Sequence, residues 1–231
     1  MNVRMGLIKR KDDWSPEAFR AHWREHHGPL AAQAPQLRAY WQNVVTERLQ
    51  RGIEFTRGPW DFDGISQLWF DDADQASQAF AQSAIASDVV ADEAHFLGGL
   101  HIVTAVPRVV IPVPPAPVRE RLLKRMSTLR RRPEVSEDDF RREWIAHGEM
   151  VKKMPGVSGY RQNVIVGREA RKGSACAYEA LPIDGIVELW FESLESLEAA
   201  FASEAGQRTM AHAKTFLSEI TAFVVDEHRV I

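Results

Sequence analysis

WSPEAFRAHWREHHGPLAAQAPQLRAYWQNVV, residues 14–45, and VSEDDFRREWIAHGEMVKKMPGVSGYRQNVI, residues 135–165, are two versions of one stretch. Ser15, Phe19 and Trp23 match Ser136, Phe140 and Trp144 at an offset of 121. From His27-Gly28 against His147-Gly148 the offset is 120, and it holds through Pro35, Tyr40, Gln42 and Asn43 against Pro155, Tyr160, Gln162 and Asn163. One residue has therefore slipped between Trp and His. A second matched pair, DFDGISQLWF at 61–70 and PIDGIVELWF at 182–191, returns to an offset of 121. The repeat is a whole domain.

Each half reads the same way outward from this stretch. Ser15-Pro16-Glu17 is a helix start: the hydroxyl can cap free N–H groups, and Pro in the first turn forfeits no hydrogen bond. Phe19, Trp23, His27 and Leu30 recur at helical spacing and share a face, and Gly28-Pro29 and Pro35 are expected to end the helix. Strands are expected at 5–9, 40–46, 65–70 and 100–110, with an alanine-rich helix over 72–87 continuing in a second piece to Leu97. The second half repeats this with strands at 122–130, 159–166, 186–191 and 219–225 and helices at 136–152 and 194–217. The order β-α-β-β-α-β is the ferredoxin-like unit. Residues 1–111 and 119–231 are thus two repeats, and the proline-rich 112–118 is expected to be a stiff, extended linker.

A ferredoxin-like unit has helices on one face of its sheet only, so the other face needs a cover. Two such sheets in one chain can cover each other, giving an α+β fold whose two repeats form an intrachain barrel with helices outside. The third strands fit this. Leu68 and Phe70, matched by Leu189 and Phe191, suit the helix side. Gln67 and Trp69, matched by Glu188 and Trp190, point the other way and suit a partly polar cavity between the sheets.

Composition excludes several function classes. At 231 residues each half can bury a core, and a net charge of −3 gives no basic footprint for nucleic acid. No apolar run approaches the ~20 residues that span a bilayer, and no signal-peptide pattern opens the chain. The single Cys176 suits a reducing compartment. A cytoplasmic protein that touches neither nucleic acid nor membrane is the expectation. No Walker, GxGxxG or GxSxG motif occurs, and His22 with His26 lacks a third ligand, so neither metal nor organic cofactor is expected.

The Phe…Trp…His-Gly-Pro-Leu run (His26 to Leu30), followed by Tyr40 and Asn43, resembles the EthD-like family of the dimeric α+β barrel superfamily, once per half. His147-Gly148-Glu149-Met150 departs from it by lacking the proline and leucine, which puts the second site's function in doubt more than its fold. The resemblance implies that the tandem copies are a fused dimer, with a homodimer of the fused chain as a further assembly. It also implies chemistry among lactone isomerases, polyketide cyclases or dehydratases, and small monooxygenases, many needing no cofactor.

The candidate residues each have a bland alternative. His27 can act as general acid or base, or bond free carbonyls at a helix end; His147 is its weaker counterpart. Tyr40 and Tyr160 can donate to an oxyanion or anchor a turn. Asn43 and Asn163, three residues on, lie on the opposite strand face, so one of the two pairs is structural. Glu188 beside Trp190 in a low-dielectric cavity would have a raised pKa and act as acid or base, or else form an ion pair. His101, opposite Thr221 in the other half, is either a first-half acid/base or a satisfied strand histidine. Trp23, Trp144, Trp69 and Trp190 wall a hydrophobic ligand or fill core, and Gln67 contributes polarity. The expected function is cofactor-independent lyase, isomerase or cyclase chemistry by proton transfer on a small hydrophobic, oxygenated or aromatic molecule bound between sheet and helix. The rivals are a non-catalytic binding protein of a catabolic pathway and a small monooxygenase.

Overall fold

The computed structural model describes residues 1–80 and 84–231. The first half runs β1 (Asn2–Arg10), α1 (Pro16–His22), a π-helical turn (Trp23–His27), α2 (Gly28–Ala31), β2 (Ala39–Glu47), β3 (Gly64–Phe70), α3 (Ala73–Gln78), α4 (Ala86–Phe96) and β4 (Leu97–Ile111). After a helical turn, α5 (Ala116–Arg119), the second half runs β5 (Leu123–Arg131), α6 (Glu137–Val151), β6 (Gly159–Arg171), the two-residue β7 (Ser174–Ala175), β8 (Gly185–Phe191), α7 (Leu194–Ala202), α8 (Glu204–Phe216) and β9 (Leu217–Arg229).

The strands follow the order β4-β1-β3-β2-β9-β5-β8-β6, and β4 pairs with β6 to close an eight-stranded antiparallel ring. Each half supplies four strands in ferredoxin-like order. The seams are β2 with β9 and β6 with β4, so each half's last strand crosses to the other half's second strand. Closure removes every free edge from the ring. β3 and β8 are buried along their whole length. One face of each looks into the ring and the other at the helices.

The single-residue slip has a structural cause. In the first half the Gly28 N–H reaches back five residues to the Trp23 carbonyl, which defines the π-turn. In the second half α6 runs through the same place as uninterrupted α-helix. The extra residue is thus absorbed in one wide turn, a feature frequent at functional sites. Ser15 accepts from the Ala18 N–H and Ser136 from the Asp139 N–H, capping the two helices as their sequences predict. Trp23 and Trp144 then lie flat on Gly64 and Gly185. A β-carbon there would sit 2.4 Å from the Trp23 ring and 2.5 Å from that of Trp144, which accounts for the repeated Asp-Gly-Ile.

Four expectations need correction. Gly28-Pro29 does not end the helix, because Pro29 falls in the first turn of α2, where its missing N–H costs nothing. The linker is not wholly extended, for the same reason at Pro117 in α5. The last helix is two pieces: Ser203 ends α7 and caps α8 through the Gly206 N–H. The middle of the ring is not an open cavity. Val3, Met5, Leu7, Ile65, Val103, Met126, Ile186 and Phe223 fill it, with a polar network at one end.

Candidate functional site

The working space lies between each sheet and its own helices. In the first half β1, β3, the π-turn and α4 enclose a cleft of about 40 Å³, lined by Trp23, His27, Tyr40, Leu68, Val89 and Phe96 with Arg4, Glu93 and Lys172. His27 is buried, 7 % exposed, at its wall. Asp92 on α4 accepts from His27 Nδ1 at 2.7 Å and from His22 Nε2 at 2.8 Å. Burial pushes the Asp92 carboxyl up, but the hydrogen bonds from His27 and His22 outweigh it and hold it below the usual range. An ionised Asp92 fixes the His27 proton on Nδ1, leaving the Nε2 lone pair as the basic atom. The Gln42 amide donates to the Trp23 carbonyl at 2.7 Å and to the Tyr40 hydroxyl at 3.2 Å. Burial pushes the Tyr40 phenol up to about 12, so it keeps its proton and is no base.

The second half reaches into this first cleft. Glu169 of β6 holds Arg4 in a two-pronged ion pair, and Lys172, just beyond β6, lies 2.6 Å from Glu93 of α4. Burial lowers the Lys172 ammonium against the pull of Glu93. The cleft is therefore assembled by both repeats, which ring closure alone makes possible.

The pseudo-equivalent cleft in the second half, about 50 Å³, has lost most of these charges. Trp144, His147, Tyr160, Phe201, Met210 and Leu217 line it with Arg125. The Asp92 position is held by His212, whose Nδ1 lies 3.3 Å from His147 Nδ1, and the His22 position by Glu143, 3.4 Å from His212. Burial, then repulsion from His212, pushes the His147 imidazole down to about 3. Arg125, the mate of Arg4, meets no carboxylate among the described residues; it donates to the Arg51 and Gln50 carbonyls, and burial lowers it to about 9. Burial also pushes the Tyr160 phenol above its ordinary value.

Of the residues singled out from sequence, Trp23, His27 and Tyr40 meet in the first cleft, and Trp144, His147 and Tyr160 in the second. Asn43, Gln67, Trp69, Asn163, Glu188 and Trp190 face into the ring instead, away from both clefts. The tyrosine and asparagine pairs thus lie on opposite faces of the sheet: Asn43 donates to the Ile65 carbonyl and to Gln67, and Asn163 to the Ile186 carbonyl and to Glu188. Glu188 is corrected most sharply. Burial would raise its pKa, but Arg161 at 3.1 Å and Lys124 at 2.8 Å overcome it, and the carboxyl is held far below its ordinary value. A permanently ionised, fully paired group exchanges no proton at working pH. His101 packs edge-on against Trp60 and Phe62 beside Leu7, remote from His27, and burial lowers its pKa.

Asp92, Arg4, Gln42, Glu93 and Lys172 escaped the sequence reading. Asp92 was within reach, since Phe96 matches Phe216 at an offset of 120 and the same offset sets Asp92 against His212. Arg4 and Lys172 come from opposite halves and share no local signal.

An EthD domain model matches residues 11–99 and 132–219, once per half. A 4-carboxymethyl-4-methylbutenolide mutase from Pseudomonas reinekei is 30 % identical over 94 residues, 40 % of this chain and 86 % of the mutase. Among solved structures, an anthrone oxidase-like protein superposes with a TM-score of 0.64 at 8 % identity, covering 99 % of this chain and 93 % of that one. A chlorite dismutase variant from Candidatus Nitrospira defluvii gives 0.51 at 11 %, covering 97 % and 90 %. At such identities these two likenesses are of fold.

Proposed function

The chain belongs to the EthD family, and from that premise we propose that its first half is a small-molecule catabolic enzyme working by proton transfer without a cofactor. The observation that carries this is the buried His27–Asp92 pair on the wall of a cleft that also presents Tyr40, Arg4 and Lys172. His27 Nε2 takes a proton from carbon adjacent to a carbonyl and returns it to a second carbon, so the net change is an isomerisation. A positioned base of this kind contributes about 10²- to 10⁴-fold. The neutral Tyr40 hydroxyl and the Lys172 ammonium offer donors to oxygen that gains charge in the transition state. Walls of Trp, Phe, Leu and Val with cations at one side suit a compact apolar body carrying a carboxylate. The mutase relative, whose name contains a carboxymethyl butenolide, makes unsaturated lactones the first substrates to try.

The test incubates a 4-carboxymethylbutenolide with wild type, His27→Ala and Asp92→Asn and follows the isomers by proton NMR. Turnover by wild type and its near-disappearance in His27→Ala are expected. Equal rates in all three proteins would remove His27 from the chemistry. One observation favours a second reading, a binding protein without turnover. At about 40 Å³ the cleft is well below the ~300 Å³ where small-molecule pockets usually begin, so a ligand must first widen it. Saturable lactone binding with no conversion selects that reading.

A further inference from the structure

We propose that the open end of the ring, on the far side of the sheet from both clefts, is a binding site for a small oxyanion such as a carboxylate. A cavity of about 270 Å³ lies there, with Trp41, Gln67, Trp69, Arg119, Arg161 and the Glu227 carboxylate on its walls. Three cations and two carboxylates meet at this end. Lys124, 1 % exposed, contacts Glu188 Oε2 at 2.8 Å and Glu227 Oε2. Arg161 contacts Glu188 Oε1 at 3.1 Å, and Arg119 contacts Glu227 Oε1 at 2.6 Å. One positive charge is left over in a region of low dielectric, where an uncompensated charge is costly.

The donors without partners give the direction. Gln67 is 1 % exposed, and its Oε1 accepts from Lys124 Nζ and Asn43 Nδ2, both at 3.1 Å. That fixes the amide: turning it over would set its NH₂ against the ammonium. Nε2 is therefore committed to the other side, where it is buried with no acceptor among the described residues. Arg161 Nε is likewise buried with no acceptor among the described residues; at the same end Trp190 Nε1 and the carboxylate oxygens Glu188 Oε2 and Glu227 Oε1 also make no hydrogen bond, the two oxygens being held by ion pairs alone. The indoles cannot serve the cations and a ligand ring together, because Arg161 lies 4.7 Å over Trp69 and Arg119 3.7 Å over Trp41. They set the guanidinium planes, and Arg161 and Gln67 line the same cavity. A carboxylate laid between Gln67 Nε2 and Arg161 Nε satisfies both donors and the surplus charge at once.

The asymmetry of the repeats agrees with this. The duplication sets Val3 against Lys124, Trp41 against Arg161 and Gln67 against Glu188. The second half carries all three cations and both carboxylates, and the first half supplies Gln67 as a donor.

The experiment titrates the full chain with benzoate, and separately with inorganic phosphate, by calorimetry, and records indole N–H signals in a ¹H–¹⁵N spectrum. Benzoate is expected to bind saturably and to move the Trp69 and Trp190 signals before those of Trp23 and Trp144. Phosphate binding equal to or tighter than benzoate assigns the site to inorganic anions; weaker phosphate binding assigns it to carboxylates. Gln67→Glu, which places the second half's carboxylate on the first half's strand, is expected to weaken binding at least tenfold. No saturable binding of either anion, or movement confined to Trp23 and Trp144, overturns the proposal, and those wild-type readings stand even if Gln67→Glu does not fold. Unchanged affinity in a folded Gln67→Glu also overturns it. This site stands apart from the isomerase reading, so either can fail alone.

Discussion

Asp92 and His212 occupy the same place on corresponding helices, yet one turns a carboxylate toward His27 and the other an imidazole toward His147. That exchange separates the two clefts chemically. Beside Asp92 a histidine is oriented through its Nδ1; beside His212, burial and the neighbouring imidazole push His147 down to about 3. The two clefts therefore hold their histidines in different charge surroundings.

Asp92→Asn keeps the shape of the pair and removes its charge. Outer partners of this kind typically contribute about 10- to 100-fold, and a loss of kcat/KM of that size is expected. Rates of wild type and Asp92→Asn measured side by side check this; equal kcat/KM would separate Asp92 from the base.

His147 ties stability to pH. Its imidazole is pushed down to about 3 by burial and by His212, whereas an unfolded chain protonates it near the ordinary value of about 6.5. The unfolded state binds the extra proton between those values, so stability is full above the higher one and falls with pH below it. The slope from this group approaches about 1.4 kcal/mol per pH unit. His147→Leu is expected to flatten the decline of the urea midpoint between pH 7 and pH 5. Parallel curves for variant and wild type would count against it.

Lys124 is the hinge of the buried network. Lys124→Met leaves Glu188 and Glu227 short of a partner inside the ring and is expected to cost about 3–5 kcal/mol. Adding Glu188→Gln, which recreates the Gln67 of the other half, should recover part of that loss. A coupling of at least about 1 kcal/mol in a urea double-mutant cycle is the expected outcome. Simple additivity would mean that the groups do not act as one network.

Residues 1–111 alone would expose the outer edges of β2 and β4, whose partners are β9 and β6. Bare edges and an uncovered apolar sheet face drive association. Dimer or higher aggregate is the expected result in size-exclusion chromatography with light scattering. A stable, soluble monomer would show that neither half needs the other's cover.

Much of this fold was written in local patterns. The capped helix start at Ser15, the alternation at 65–70 and the doubled Tyr-x-Gln-Asn-Val are short-range signals, and duplication confirmed each by repetition. From them the two repeats and the need for one sheet to cover the other followed directly. The sequence also set Tyr40 and Asn43 on opposite strand faces, but not which face met the helices.

Contacts across the ring decided what remained. Glu188 looked like a proton-exchanging group because its neighbour in sequence is Trp190; Lys124 and Arg161, which keep it ionised, arrive from other strands. The pairing of His27 with Asp92 joins residues 65 apart, and that of Arg4 with Glu169 joins residues 165 apart. Charge and burial act through space with no regard for chain order. The sequence therefore determined which side chains each strand offers, and closure of the ring determined which of them meet, with what charge, and in which of the two clefts.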